Sequence, residues 1–82
     1  MTQEISTATQ LVVARRHVAD WQGAKASAEL TLETAARFRE LGIPDETMET
    51  RAKAQLQRAL AALKFTEERE RELTQAQEEA EA

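Results

Sequence analysis

Leu41-Gly42-Ile43-Pro44-Asp45-Glu46 is the stretch that decides how this chain folds. Glycine just past a periodic segment is the usual left-handed residue closing a helix, because it has no Cβ to clash in that conformation. With Gly42 in that place, Ile43 follows it and Phe38 falls in the last turn of the helix. These are the two positions whose apolar contact accompanies a Schellman motif. Pro44 cannot continue the first helix, but its fixed φ suits the start of a second. Asp45, Glu46 and Glu49 then place negative charge in the first turn of that second helix, where the helix dipole favours it. The reading is a helix, a turn over 42–45, and another helix.

Working outward, apolar or small residues recur upstream at Leu11, Ala14, Val18, Trp21, Ala28, Leu32 and Ala35, a heptad stripe interrupted by Lys25. Phe38 and Leu41 continue it after a one-residue drift, as a 3.6-residue repeat requires. Downstream, Met48, Ala52, Leu56, Ala59 or Leu60, and Leu63 form a matching stripe, which thins after Thr66 to Leu73, Ala76 and Ala80. The pattern predicts helix 1 over about 3–41 and helix 2 over about 45–80, antiparallel because the link is short. Such pairing sets Leu41 against Met48, Phe38 against Ala52, Leu32 against Leu56, and Ala28 against Leu60 and Leu63. It also brings Arg15 and Arg16 toward Glu70, Glu72 and Leu73, and Asp20 toward Arg69.

The predicted class is all-α, an antiparallel two-helix hairpin of coiled-coil type, with pairing of two hairpins into a four-helix bundle as a route to a larger core. Gly23 supports an alternative. A glycine inside a helix costs roughly 1 kcal/mol relative to alanine, and a bend there gives three helices. Ile5-Ser6-Thr7-Ala8-Thr9 is rich in β-branched and hydroxylated residues that favour fraying.

Composition narrows the function. At 82 residues the chain is one domain at most, and chains of this size bury only about 60% of their unfolded surface. Disulfides, a metal or another subunit usually supply the remainder. Cysteine is absent, and the single histidine, His17, makes no zinc site without thiolates. A protein partner, or a second copy as a dimer, is therefore expected. No apolar run approaches the ~20 residues of a membrane span. Met1-Thr2-Gln3-Glu4 lacks the basic and apolar parts of a signal peptide. The expected location is cytoplasmic, with export without a cleaved signal also open.

Charge is uneven. The chain carries −4 overall, and residues 67–82 hold seven glutamates against two arginines, a local net of −5. Glu67, Glu68, Glu70 and Glu72 lead this acidic end, which reads as a solvated helix face or as a surface for a basic partner. Nucleic-acid binding is not expected: the basic groups are small, without aromatic interleaving, on an acidic chain. Catalytic residues, metal ligands, cofactors and a small-molecule substrate are likewise not expected. Serines are few (Ser6 and Ser27), and no carboxylate pair combines with a histidine in a plausible cleft. His17 reads as a boundary residue.

Trp21-Gln22-Gly23 resembles the Trp-x-Gly motif of a family of small secreted helical hairpins. That family carries the motif in its interhelix turn and a Tyr-x-x-x-Asp/Glu signal near its C-terminus. Here the turn lies at Gly42-Ile43-Pro44 and tyrosine is absent, so the chain departs from the pattern at both points. Trp21 reads instead as a core or interface anchor.

The function these features imply is a non-enzymatic helical interaction module: an assembly factor, chaperone or adaptor. It resembles bacterial export chaperones and phage accessory proteins in size and architecture. The candidate interaction residues are Leu11, Val18, Trp21, Leu30, Phe38, Met48, Leu56, Leu60, Leu63 and Phe65. One alternative is an acidic inhibitor blocking a nucleic-acid-binding enzyme through its Glu-rich end; another is a structural subunit of a helical array.

Overall fold

The computed structural model describes residues 4–82, and within them two helices pack against each other as a hairpin. Helix α1 spans Thr7–Glu40 and α2 spans Glu46–Glu81. The molecule measures 60 × 29 × 14 Å. Helix α1 runs without a break through Gly23, so the bend that would give three helices does not form.

The turn closes as its residues dictate. Gly42 takes φ +77°, a conformation costly for any residue with a Cβ. The Ile43 amide donates to the Phe38 carbonyl at 2.9 Å, and the Gly42 amide to that of Arg39 at 3.0 Å. Together these are the two bonds of a Schellman motif, and they satisfy carbonyls that the helix end would otherwise leave unpaired. Asp45 is the N-cap of α2, not a residue of its first turn. Its Oδ1 accepts from the Met48 amide at 3.0 Å, which leaves Pro44 outside the helix and Glu46 and Glu49 as the acidic residues of the first turn. A side-chain cap needs extended backbone, and Asp45 has it at φ −115°, ψ 90°.

The other end is capped too. Helix α1 begins at Thr7, later than the expected start near residue 3, which lies outside the described residues. Ser6 Oγ accepts from the Thr9 amide at 3.2 Å, and Gln10 Nε2 donates to the Ile5 carbonyl at 2.7 Å. The hydroxylated residues expected to fray are the ones that build this cap.

Between the turn and the caps the seam follows strict heptads, but small residues close much of it. Ala28, Ala35, Ala52 and Ala59 are at most 1% exposed, whereas the large buried side chains are Leu11, Val18, Leu63 and Leu73. Alanine on facing positions lets two backbones approach closely, so the larger side chains nearby are displaced to the flanks. Leu32, Leu56, Phe38 and Met48 are accordingly half-buried. Leu41, expected to face Met48, is 71% exposed, because as the C-cap it lies beyond the last helical residue. Leu60 is also turned outward, while its neighbour Leu63 is buried. Far from the turn, where the sequence pattern is sparsest, Leu11, Ala14 and Leu73 form a buried cluster.

Ion pairs fasten one edge of the hairpin. Arg39 Nε donates to Glu49 Oε2 at 2.7 Å across the helices, and Lys53 Nζ donates to Glu49 Oε1 at 3.0 Å. Arg15 approaches Glu70 at 3.8 Å on the same edge. Arg69, expected to face Asp20, is instead held by Gln10 at 3.3 Å and by Glu72 within its own helix at 3.4 Å. Asp20 takes part in no ion pair among the described residues.

Two outcomes follow for stability. Gly42→Ala should cost about 1–2 kcal/mol through the left-handed conformation, and Asp45→Ala about 1 kcal/mol through the lost cap, both read by urea unfolding at neutral pH. The second concerns pH. Hydrogen bonds from Arg39 and then Lys53 hold the Glu49 carboxyl below its ordinary range. As pH falls, the unfolded chain therefore takes up the Glu49 proton before the folded one does. The stabilisation is complete above the unfolded value of about 4.3 and is lost as pH falls through the lower folded value. Glu49→Gln should be less stable than the parent at neutral pH, and the gap should shrink on acidification across that window.

Candidate protein-binding surface

One side of the hairpin carries the interhelix ion pairs, and the other opens into an apolar groove. The groove begins at the free end, in a hollow of about 220 Å³ lined by Ile5, Gln10, Val13, Ala14, His17, Arg69 and Leu73. It continues past Ala14, His17 and Arg69 into a smaller recess beneath Phe65 and Thr66. Farther along, Trp21, Ala24 and Ser27 of α1 and Gln55 and Arg58 of α2 border another hollow of about 260 Å³.

Local structure explains why these residues converge. The Ser6 cap and the Gln10–Ile5 bond fold Ile5 over the start of α1. Val13 and His17 lie four residues apart and Ala24 a further seven, so the three share a helix flank, while Phe65 and Arg69 stand four apart on α2. Gln10 and Glu72 hold the Arg69 guanidinium at the rim. The result is an apolar floor beside a fixed cation, open to solvent along its length.

The candidate residues read from the sequence divide into three sets. Leu11, Val18 and Leu63 are buried in the seam and hold the hairpin together. Trp21, Phe38, Met48 and Leu56 are half-buried along the flanks. Leu30, Leu60 and Phe65 are exposed, Phe65 at 69%. Trp21 sits in the middle of α1, well away from the turn. Phe38 joins Ile43 and Pro44 in a shallow hollow at the turn, the apolar pairing of the Schellman motif.

The heptad reading passed over Ile5, which is non-helical yet forms part of the groove. The cap is the signal that could have found Ile5, since the residue preceding an N-cap packs back onto the first turn. The acidic residues are partly engaged within the hairpin: Glu70 lies near Arg15 and Glu72 bonds Arg69. Glu67 is half-buried and Glu68 is exposed. No helix among the described residues is long and apolar enough to cross a membrane. Comparison with protein-family models, curated proteins and solved structures finds no match.

Proposed function

We propose that this hairpin is a non-enzymatic interaction module of the cytoplasm, an assembly factor, chaperone or adaptor that receives an apolar helix of a partner protein along its groove. One observation carries the reading. Eight large apolar side chains stand exposed (Ile5, Val12, Val13, Leu30, Leu41, Ile43, Leu60 and Phe65), against four large ones buried in the seam. Three of the eight, Ile5, Val13 and Phe65, line the groove, and apolar side chains gathered around a groove mark an interaction surface where scattered exposed leucines do not. The surface area agrees: 6513 Å² is exposed, where a compact monomer of this mass would expose roughly 4,900 Å².

A groove between two helices suits a third helix, which would lay its apolar face beside Ile5, Val13 and Phe65. Arg69 at the rim would take an acidic residue of the partner and orient it. Binding of this kind is driven by burial and withstands salt, whereas recognition through residues 67–82 would weaken steeply.

Exposed and buried positions should respond in opposite ways. Phe65→Ser should change folding stability by less than about 0.5 kcal/mol yet abolish the complex that the tagged chain forms in its native cell, read by native mass spectrometry. Leu63→Ala should cost about 2–4 kcal/mol of stability. The parent complex should persist at ~1 M salt, where screening acts within about 3 Å. A complex that survives Phe65→Ser but is lost at high salt, or on truncation after Thr66, would support the acidic inhibitor instead.

A further inference from the structure

The outward side of α1, opposite the seam and separate from the groove, carries a heptad stripe of its own. Val12, Ala19, Gly23, Ala26 and Leu30 recur at alternating three- and four-residue steps, with Arg16 filling the one gap, and all are exposed. Leu30 lies two residues from fully buried Ala28, which places it on the opposite side of the helix. The hairpin makes no use of this second stripe. Gly23 shows this most clearly, since a Cβ built there would meet nothing within 4 Å. Neither the turn nor the packing requires glycine at this position.

We propose that this face is a homodimer interface, in which two hairpins pair back to back through antiparallel first helices about a two-fold axis between Gly23 and Ala26. The stripe is complementary to itself in that arrangement. Leu30 of each copy meets Ala19 of the other, Gly23 meets Ala26, and Arg16 meets Glu33. Each large side chain faces a small one, and each buried-edge charge faces its opposite. Glu33 already lies 3.9 Å from Arg37 of its own helix, so Arg16 of the second copy would complete a three-charge cluster at either end. The aliphatic stem of Arg37 would cover Val12. In the flanking rows Gln22 meets Glu29 and Asp20 meets Ser27, so no like charges oppose.

Other pairings fail on the same residues. A parallel pair sets Arg16 against Arg16 and leaves a gap at Gly23. Sliding the antiparallel pair by a heptad either places Ala19 against Gly23, with nothing to fill the space, or Glu33 against Gly23. A two-fold contact must be self-complementary, and one register meets that condition. Area does not oppose it: the hairpin exposes roughly 1,600 Å² more than a compact monomer, about twice what one partner contributes to a standard interface.

Sedimentation equilibrium of the full chain, with helicity followed by circular dichroism, tests this. The parent should be a reversible dimer, and Leu30→Glu a folded monomer of unchanged helicity. Arg16→Glu and Glu33→Arg should each weaken the dimer about tenfold, and the two together should restore it to within about threefold of the parent. Phe65→Ser lies off this face and should leave the dimer intact, so loss of the groove partner and loss of the dimer are separable. A parent that stays monomeric at millimolar concentration overturns the proposal. So does a dimer indifferent to Leu30→Glu, or one that the charge swap fails to restore.

Discussion

Close contact between two helix backbones at Ala28, Ala35, Ala52 and Ala59 is the constraint on which this structure rests. Alanine contributes little buried area, so a seam closed this way gains less from the hydrophobic effect than a leucine seam of equal length. It gains instead in proximity. The chain can be brought back on itself by a short turn, and the arginine and glutamate of one edge come within hydrogen-bonding reach. The Schellman motif at Gly42 and the cap at Asp45 fix where that return occurs. The buried cluster of Leu11, Ala14 and Leu73 then anchors the far end.

The same constraint dictates what is left outside. Once alanines occupy the fully buried positions, large apolar side chains on the same helices have no interior to enter. Val13 and Phe65 come to line the groove, and Val12 and Leu30 the back of α1, two surfaces of different character. The groove is concave, spans both helices, and places a fixed guanidinium beside Val13 and Phe65. The back of α1 is a single convex helix face with small residues at its centre and opposite charges toward its ends. A concave apolar surface suits a different molecule, whereas a convex face with internal symmetry suits another copy of itself.

How legible each part was in the sequence follows from how local its cause is. The turn could be read from six residues, because Schellman and capping geometry are decided within a few positions of Gly42 and Asp45. The helices were legible because heptad spacing is a one-dimensional signal. Spacing also picked out the inward stripe of α1, whose Leu11, Ala14, Val18, Ala28 and Ala35 are buried. What it could not reveal is which apolar side chains a partner can still reach once the helices pack. Leu11, Val18 and Leu63 therefore stood among the interaction candidates beside Leu30 and Phe65, although the first three are buried and the last two exposed. The start of α1 was also misplaced. The pattern set it near residue 3 and marked Ile5-Ser6-Thr7-Ala8-Thr9 only as prone to fray, whereas Ser6 caps the helix through its side-chain bond to Thr9. Gly23 was read for its cost to the helix, and the packing shows that nothing in the hairpin offsets that cost.

The central claim, that one chain returns on itself along this seam, is open to direct measurement because the sequence has no cysteine of its own. Spin labels attached through Ala8→Cys and Ala76→Cys, with labelled chains diluted into unlabelled protein, report the distance between the two helices by pulsed electron resonance. The account predicts a narrow distribution within the molecule's 29 Å breadth, allowing for the label tethers. A distribution shifted toward the roughly 100 Å that uninterrupted helix would place between those positions would contradict it.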